Sequence, residues 1–578
     1  MKLIDALEII KRPTKLDTRS FDVLQACGFT PLHLQTFLAA HLRLLKPDRC
    51  VSVHTGLFGD LIGNIERGKS RHFDAFVVVI EWADLDPRLS ARNSGNWRAD
   101  VLADVEQSIA LSVQRIENAI ISSNEAPVIV SMPTLPLPPI FTTAPHQACG
   151  LENKILQRLA ILAFRLGEQP NVRIVNSQSL HETSPFNARF DLKSEIMAGF
   201  PYSVSHASIL AEELARLAHN PAPKKGLITD LDGTLWSGIV GEDGVDGISW
   251  DLEHKTRLHG LYQQTLASLA SAGVLLGVAS KNSPEVVDRA FDRPDLLVSR
   301  TEVYPFEVHW SRKSGSVKRI LEKWNVSADS VVFIDDSPME VAEVSDAFPE
   351  MECIVFPAGS YHGIWDLLKY LRSVFGKSSV SADDTLRLES LRKGAEWQQI
   401  VSSSSEVSLD EFLKLAKASI LFDANKSPEA RALELVNKTN QFNLNGRRYN
   451  ESEWNVFHSG AKAFSVLVSY EDRYGSLGKI AVMLGRVEAH KLHLESWVLS
   501  CRAFSRRIEH QCLKFLFERF GCEEIIFDYV QTVKNGPLQE FFLGLMGTPP
   551  YLGMSLSREF FATHAPALYH EVKEHSNV

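Results

Sequence analysis

The stretch Gly226–Trp236, GLITDLDGTLW, constrains this chain more than any other. A short apolar run ends in two aspartates spaced i, i+2, and a strand delivers such a pair to one face at its carboxyl tip. Gly233 and Thr234 follow at once. Glycine lets the chain turn sharply, and the turn offers backbone N–H groups and a hydroxyl to an anion. Two carboxylates repel a phosphate, so the pattern makes chemical sense with a divalent cation, and oxygen ligands beside phosphate favour Mg²⁺. Asp230 is then placed to attack phosphorus, and Asp232 to protonate the leaving oxygen and later activate water. The same residues also suit a strand ending in an Asx-turn, where Asp and Gly recur for local reasons.

Downstream segments weigh against that plainer reading. Residues 274–282, VLLGVASKN, form a second apolar run ending in Ser280, Lys281 and Asn282, with Ser280 suited to hydrogen-bond a phosphoryl oxygen. Residues 331–338, VVFIDDSP, form a third run whose Asp335 and Asp336 complete a metal site with Asp230 and Asp232. Between them Lys313 precedes a helical stretch and is placed to neutralise phosphate charge in the transition state. Taken alone, it reads as a surface lysine. A parallel α/β sheet binds ligands outside the carboxyl ends of its strands, so three polar strand tips in this order point to one crevice.

This ordered set resembles the haloacid dehalogenase (HAD) phosphatase superfamily. The string Trp236–Gly244, WSGIVGEDG, narrows the resemblance to its FkbH-like branch, which carries DLDNTLW-x-G-x-x-GEDG and FIDD-x-P-x-E strings. Here Gly233 stands where that branch usually has Asn. The resemblance implies that Asp230 forms an aspartyl-phosphate and that Asp232, Thr234, Ser280, Lys313, Asp335 and Asp336 take the superfamily's remaining site roles.

At 578 residues the chain is expected to hold three or four domains, each with its own core. A formal charge of −10 argues against general nucleic-acid binding, which needs a basic face. No apolar run reaches membrane-span length, and MKLIDALEIIKR carries acids where a signal peptide is uninterrupted, so a cytoplasmic protein is expected. Seven scattered cysteines without a C-x-x-C pair argue against a disulfide framework or structural zinc.

Strands alternate with helices over residues 1–220, predicting a parallel sheet. FkbH-like proteins commonly carry an SGNH-hydrolase-like domain here, and PYSVSHASILAEEL resembles its terminal block. The first strand is read in the run that begins at residue 50, and HTGLFGD at the end of that run has no serine, so a hydrolase there lacks its nucleophile. Asp191 and His206 are the candidate remnants of a catalytic pair, with docking or scaffolding the preferred role for this domain. Residues 223–377 are expected to form a HAD-like domain, with too few residues between its first two strands for a cap. Residues 378–417 read as a linker and connecting helices.

Residues 418–578 resemble a GNAT acyltransferase in element order. In that fold the loop after the fourth strand holds a coenzyme A pyrophosphate at a helix N-terminus. The equivalent segment, SCRAFSRRIE, keeps Arg502, Arg506 and Arg507 but has Ser505 where acetyltransferases place glycine. With Arg447 and Arg448 of TNQFNLNGRRY, these arginines suit either a phosphopantetheine arm or acidic carrier protein, or the chain's own acids. Cys501 lies between an apolar strand and an Arg-rich helix, suiting either a reactive thiolate or a small core residue. The expected fold class is thus α/β and multidomain: an SGNH-like domain, a capless Rossmann-like HAD domain and a GNAT-like domain.

The FkbH-like resemblance implies a Mg²⁺-dependent phosphatase coupled to glyceryl transfer, drawing a phosphoglyceryl unit from 1,3-bisphosphoglycerate and loading an acyl carrier protein. Phosphopantetheine or coenzyme A is the expected organic cofactor. Two other readings stay open here: a phosphatase fused to an acyl-CoA-dependent transferase acting on a saccharide or other metabolite, and a non-catalytic scaffold.

Overall fold

The computed structural model describes residues 1–13, 19–93, 102–122, 126–139, 146–221, 223–377, 388–389, 391–392, 409–424, 429–473, 475–500, 503–504, 506–532 and 534–575. The chain divides into two compact units, Met1–Pro221 with Asn450–Val456, and Ala222–Tyr449 with Phe457–Val578. Both are mixed α/β structures. No helix among the described residues is long and apolar enough to cross a membrane.

The first unit is built on a parallel sheet of β1 (Ser20–Cys27), β2 (Cys50–Thr55), β3 (Ala75–Val79), β4 (Val128–Ser131) and β5 (Val172–Ile174), in the order β2-β1-β3-β4-β5. Its central strands are covered on both faces. All five residues of β3, AFVVV, are therefore buried, as a strand with helices on either side requires. Helices α1 (Leu32–Leu45) and α2 (Val204–His219) pack together as part of that cover. The first strand is β1, not the run beginning at residue 50 expected from the sequence. The residues after it are Gly28, Phe29 and Thr30, so no serine follows this strand either.

A polar network lies buried beyond the carboxyl ends of β3 and β4. Glu81 accepts hydrogen bonds from the Thr134 backbone N–H (3.0 Å), the Thr134 hydroxyl (2.7 Å) and Tyr202 (2.8 Å). His206 Nε2 meets Thr134 Oγ1 and its Nδ1 meets Ser184 Oγ, each at 2.9 Å. Arg189 is fully buried and donates to the carbonyls of Ser184, Thr134 and Leu180. Asp191 caps a separate short helix by accepting from Ser194 N, so the Asp191 and His206 side chains are engaged by different partners.

Burial depresses the His206 pKa to about 3, with Arg189 adding to the effect. The unfolded chain binds this proton near pH 6.5 and the folded chain near pH 3, so the contribution to stability is present above pH 6.5 and is lost as pH falls through that window. Glu81, pushed up to about 7 by burial, works in the opposite sense, its contribution fading as pH rises through 7. The expected result for His206→Gln is therefore a stability penalty in urea titrations that is largest at neutral pH and shrinks as pH falls from 6.5 to 4.

The second unit contains two sheets. One is a parallel sheet of β6 (Gly226–Thr229), β7 (Leu275–Ser280), β8 (Val303–Val308), β9 (Val331–Asp335) and β10 (Glu352–Val355), in the order β10-β9-β6-β7-β8. Two edge strands escape notice in the sequence. Pro305 lies within β8 and removes a ladder donor, which confines such a strand to an edge, and β10 is only four residues long. Helices α3 (Lys313–Trp324) and α4 (Pro338–Ala347) follow β8 and β9. The connection from β6 to β7 holds a helical turn, Val240–Asp243, and the helix Arg257–Ser271, with no inserted domain.

The other sheet is mixed. It comprises β11 (Ser419–Asp423), β12 (Phe442–Asn443), β13 (Ala463–Asp472), β14 (Gly475–Glu488), β15 (Lys491–Leu499), β16 (Glu524–Phe527), β17 (Ser555–Ser557) and β18 (Glu571–His575). Helix α5 (Ala430–Lys438) precedes β12, and α6 (Ile508–Phe520) follows β15. Parallel strands β15 and β16 pair only from Lys491 to Leu494 and then separate.

Separated strands leave facing N–H and C=O groups that must find partners. The chain fills the gap itself with the FNLN segment. Phe442 and Asn443 pair with Leu499 and Val498. Leu444 donates to Trp497 O (3.0 Å) and accepts from Val530 N (3.1 Å), while the Asn445 side chain donates to the carbonyls of Glu495 (2.8 Å) and Asp528 (3.0 Å).

Candidate metal and phosphate site

Strand register assembles the site. In the parallel β6–β9 pair Thr229 lies opposite Ile334, so the next residues, Asp230 and Asp335, emerge side by side at the carboxyl edge. The Asp230 N–H extends the ladder by one bond to Ile334 O (2.9 Å). On the other flank β7 runs parallel to β6 and ends at Ser280, which is buried. The central strands are apolar because both faces are covered, and polarity begins only where they end.

Lys313, the first residue of α3, is buried between two carboxylates. Its Nζ lies 3.0 Å from Asp230 Oδ2 and also pairs with Asp335 Oδ2. The other Asp335 oxygen accepts from Ser337 N (2.9 Å). Asp230 Oδ1 is buried without a hydrogen-bond partner among the described residues, as is Thr234 Oγ1. Such atoms are costly unless something completes them. Asp230, Asp335 and Asp336 each offer an oxygen within 4.8 Å of the others, with the first two buried and Asp336 exposed. Three carboxylates and one ammonium leave a negative, all-oxygen cluster that fits a hard divalent cation.

The same crowding sets the acidities. Burial pushes the Asp230 carboxyl up to about 7; Lys313 pulls it back and Asp335 adds to the rise. Burial opposes the charge on Lys313, but Asp230 and Asp335 outweigh it and hold the ammonium above the ordinary lysine value. Asp336, although its side chain reaches solvent, is raised by partial desolvation at the cluster and by its neighbour Asp335.

Asp232 stands outside this carboxylate group, in contrast to its expected place among the metal ligands. Its Oδ1 accepts from Trp236 Nε1 (2.8 Å) and Val240 N (3.0 Å), and its Oδ2 accepts from Asn282 Nδ2 (2.7 Å). Three donors from two loops fix this carboxylate in place. The Trp236 indole is fully buried, so Asp232 is anchored to the core itself. Thr234 is held through its carbonyl, which meets His259 Nδ1 at 2.9 Å.

Several partners were not evident from the residues alone. Asn282 reads as a polar strand tip, but not as the partner of Asp232. Lys281, from the same tip, pairs with Glu340 at 2.7 Å, and the second oxygen of Glu340 is buried without a partner among the described residues. Glu340 closes the string FIDDSPME, which is the only sequence signal for it.

Gly233 has a role beyond its turn. Its φ is +68°, and a Cβ there would lie 2.3 Å from Asp336 Oδ2. Any larger residue must displace that carboxylate. Gly233→Ala is expected to cost about 1 kcal/mol through the positive φ alone. Because Asp336 must move, the affinity of the acidic cluster for Mg²⁺ is expected to fall at least tenfold, as calorimetric titration with the metal would show.

A solved structure shares this architecture. The chain is similar to the N-terminal part of the protein BF1531 from Bacteroides fragilis, a structure containing a phosphatase domain and complexed with Mg. The two are 19% identical, with a TM-score of 0.50 over 66% of this chain and 100% of that one. The covered part of this chain has the same fold. Lesser likenesses are to the cobalt-bound deoxy-D-mannose-octulosonate 8-phosphate phosphatase YrbI from Haemophilus influenzae (17% identity, 28% of this chain and 94% of that one, TM-score 0.18) and to the salicylyl-acyltransferase SsfX3 from a tetracycline biosynthetic pathway (10%, 35% and 54%, TM-score 0.21). No family model and no curated protein matches the sequence.

The arginines of the C-terminal segment face the chain's own groups. Arg506 is buried, with its Nε 3.6 Å from Asp472 and its guanidinium over the Tyr470 ring. Arg507 pairs with Asp410 (2.5 Å) and donates to Ala567 O (2.8 Å). Arg447 reaches Glu495 (3.5 Å), and Arg448 donates to the carbonyls of Val436 and Thr439. Arg506 and Arg507 thus meet acids that are distant in sequence, as one of the two readings of the arginine cluster expects. Cys501 and Arg502 lie outside the described residues.

Proposed function

We propose that this chain is a Mg²⁺-dependent phosphatase of the FkbH-like type within the HAD superfamily, coupled to acyl transfer. Its substrate is the phosphoglyceryl unit of 1,3-bisphosphoglycerate, and its product is a glyceryl group loaded onto an acyl carrier protein. The observation that carries the phosphatase reading is Asp230: Lys313 holds one carboxylate oxygen, while the other is buried, unpartnered among the described residues and beside two more acids. The Mg complexed with the Bacteroides fragilis protein of like fold agrees with this reading.

Asp230, Asp335 and Asp336 would hold the cation, which when bound neutralises repulsion between carboxylates and phosphate. Asp230 attacks phosphorus as the bond to the leaving oxygen breaks, and Asp232 gives that oxygen its proton. Asp232 then takes a proton from water, whose oxygen attacks the aspartyl-phosphate and frees both phosphate and Asp230. Lys313 stays charged throughout and fixes the orientation of the nucleophile.

The test is to incubate the chain with 1,3-bisphosphoglycerate, Mg²⁺ and candidate carrier proteins, following phosphate release and intact carrier mass. Phosphate release that depends on Mg²⁺, with a carrier gaining one glyceryl mass, is the expected result. Phosphate release with no mass gain on any carrier would reduce the function to the phosphatase alone.

A further inference from the structure

A second site lies at the opposite end of the β6–β10 sheet from the acids. There a cavity of about 640 Å³ is bounded by Lys225 and Leu275, at the amino ends of β6 and β7, and by residues at the end of α3. Lys225 is five residues from Asp230, and at about 3.3 Å per residue the cavity wall and the nucleophile are about 16 Å apart. The facing wall comes from the mixed sheet and α5, within the same compact unit. This volume is in the range of small-molecule pockets, about 300–1,000 Å³.

Its lining has three chemical zones. The first is apolar: Trp324, Val326, Phe348, Leu435 and Leu499. The second is a strip of amides and hydroxyls, Thr439, Asn440, Gln441 and Ser500. The Gln441 side chain accepts from Asn325 Nδ2 (2.7 Å), fixing its amide across the cavity. The third is charged and of both signs, with Arg431, Lys438 and Lys534 beside Glu350 and Glu434; of these, exposed Lys534 has no carboxylate partner among the described residues. Ser500 follows β15 directly, where β15 has parted from β16 and the gap is filled by Phe442–Asn445. An extended ligand therefore finds no room between those strands, whereas the cavity beside Leu499 and Ser500 is open.

We infer that this cavity binds a phosphopantetheine-type thioester arm. Such an arm has an anionic phosphate for Lys534, two amides for the Thr439–Gln441 and Ser500 strip, and a thioester end for the apolar floor. The inference rests on the acyl-transfer half of the proposed function and adds where the arm binds. The arm comes either from a carrier protein or from free coenzyme A; the recognised chemistry is the same.

Isothermal titration of the full chain with S-acetyl phosphopantetheine tests this, with acetyl-coenzyme A in parallel. Saturable one-to-one binding is expected, weakened at least tenfold by Val326→Trp, which fills the floor, and likewise by Lys534→Glu on the exposed rim. Acetyl-coenzyme A binding at least as tightly as the short arm assigns the source to the free coenzyme. Binding at least tenfold weaker assigns it to a carrier. Absence of saturable heat with both probes, or unchanged affinity in either variant, overturns the proposal. Heat is read without turnover, so a chain that releases no phosphate still tests the cavity, and a chain that binds no arm still tests the phosphatase.

Discussion

Asp230→Asn is expected to abolish phosphate release, by about three orders of magnitude or more, while making the metal-free protein more stable. The first effect follows from the loss of the attacking carboxylate, since an amide oxygen is a far poorer nucleophile. The second follows from the site's electrostatics. Asp230 is buried, its acidity is suppressed by burial and by Asp335, and one of its oxygens lacks a partner among the described residues. Removing that charge relieves a cost the folded protein carries for function, of about 0.5–2 kcal/mol by analogy with other strained sites. Lys313 keeps Asp335 as a partner. Phosphate-release rates and urea midpoints without metal check both halves. A variant that loses stability, or keeps more than a tenth of the activity, would contradict this account of Asp230.

Lys313→Ala is expected to do the reverse to stability. Lys313 is the only cation paired with Asp230 and Asp335 among the described residues, and all three side chains are buried. Deleting one partner of a buried ionic group leaves uncompensated charge, at a cost of about 3–5 kcal/mol. The sign of its pH dependence follows. Without the ammonium the Asp230 carboxyl, already raised by burial, rises further above its unfolded value. The variant should then be most stable at low pH and lose stability as pH rises through the raised folded value. Millimolar Mg²⁺ should recover much of the loss by supplying the missing positive charge, and Na⁺ at equal ionic strength should not. Thermal unfolding across pH, with each salt, is the measurement.

What the residues disclosed in advance, and what they did not, has a physical pattern. The Asp230, Ser280 and Asp335 tips were legible because each ends a buried central strand, where an apolar run stops abruptly at polar residues. Strand β1 ends at Cys27, followed by Gly28, and without such a tip it does not stand out in the sequence. Edge strand β8 was hidden by Pro305, and β12, two residues long, exists only because β15 and β16 part around it. Pairings between separate loops were equally hidden. Asp232 could be read as a carboxylate at a strand end, but not that Trp236, Val240 and Asn282 hold both its oxygens. Nor does composition reveal that Arg506 meets Asp472, since that contact joins residues 34 positions apart. Side chains whose function depends on one strand end are thus readable; those whose state depends on a distant partner are not.

Covalent transfer of the phosphoryl group to Asp230 is the step on which the proposed function turns. Rapid quenching of a reaction with 1,3-bisphosphoglycerate and Mg²⁺ into sodium borohydride, followed by peptide mass mapping, tests it directly, because borohydride reduces an acyl phosphate and leaves a free carboxylate intact. The account predicts reduction to homoserine at position 230 and at no other aspartate. Reduction at another position, or none while phosphate is released at the normal rate, would contradict it.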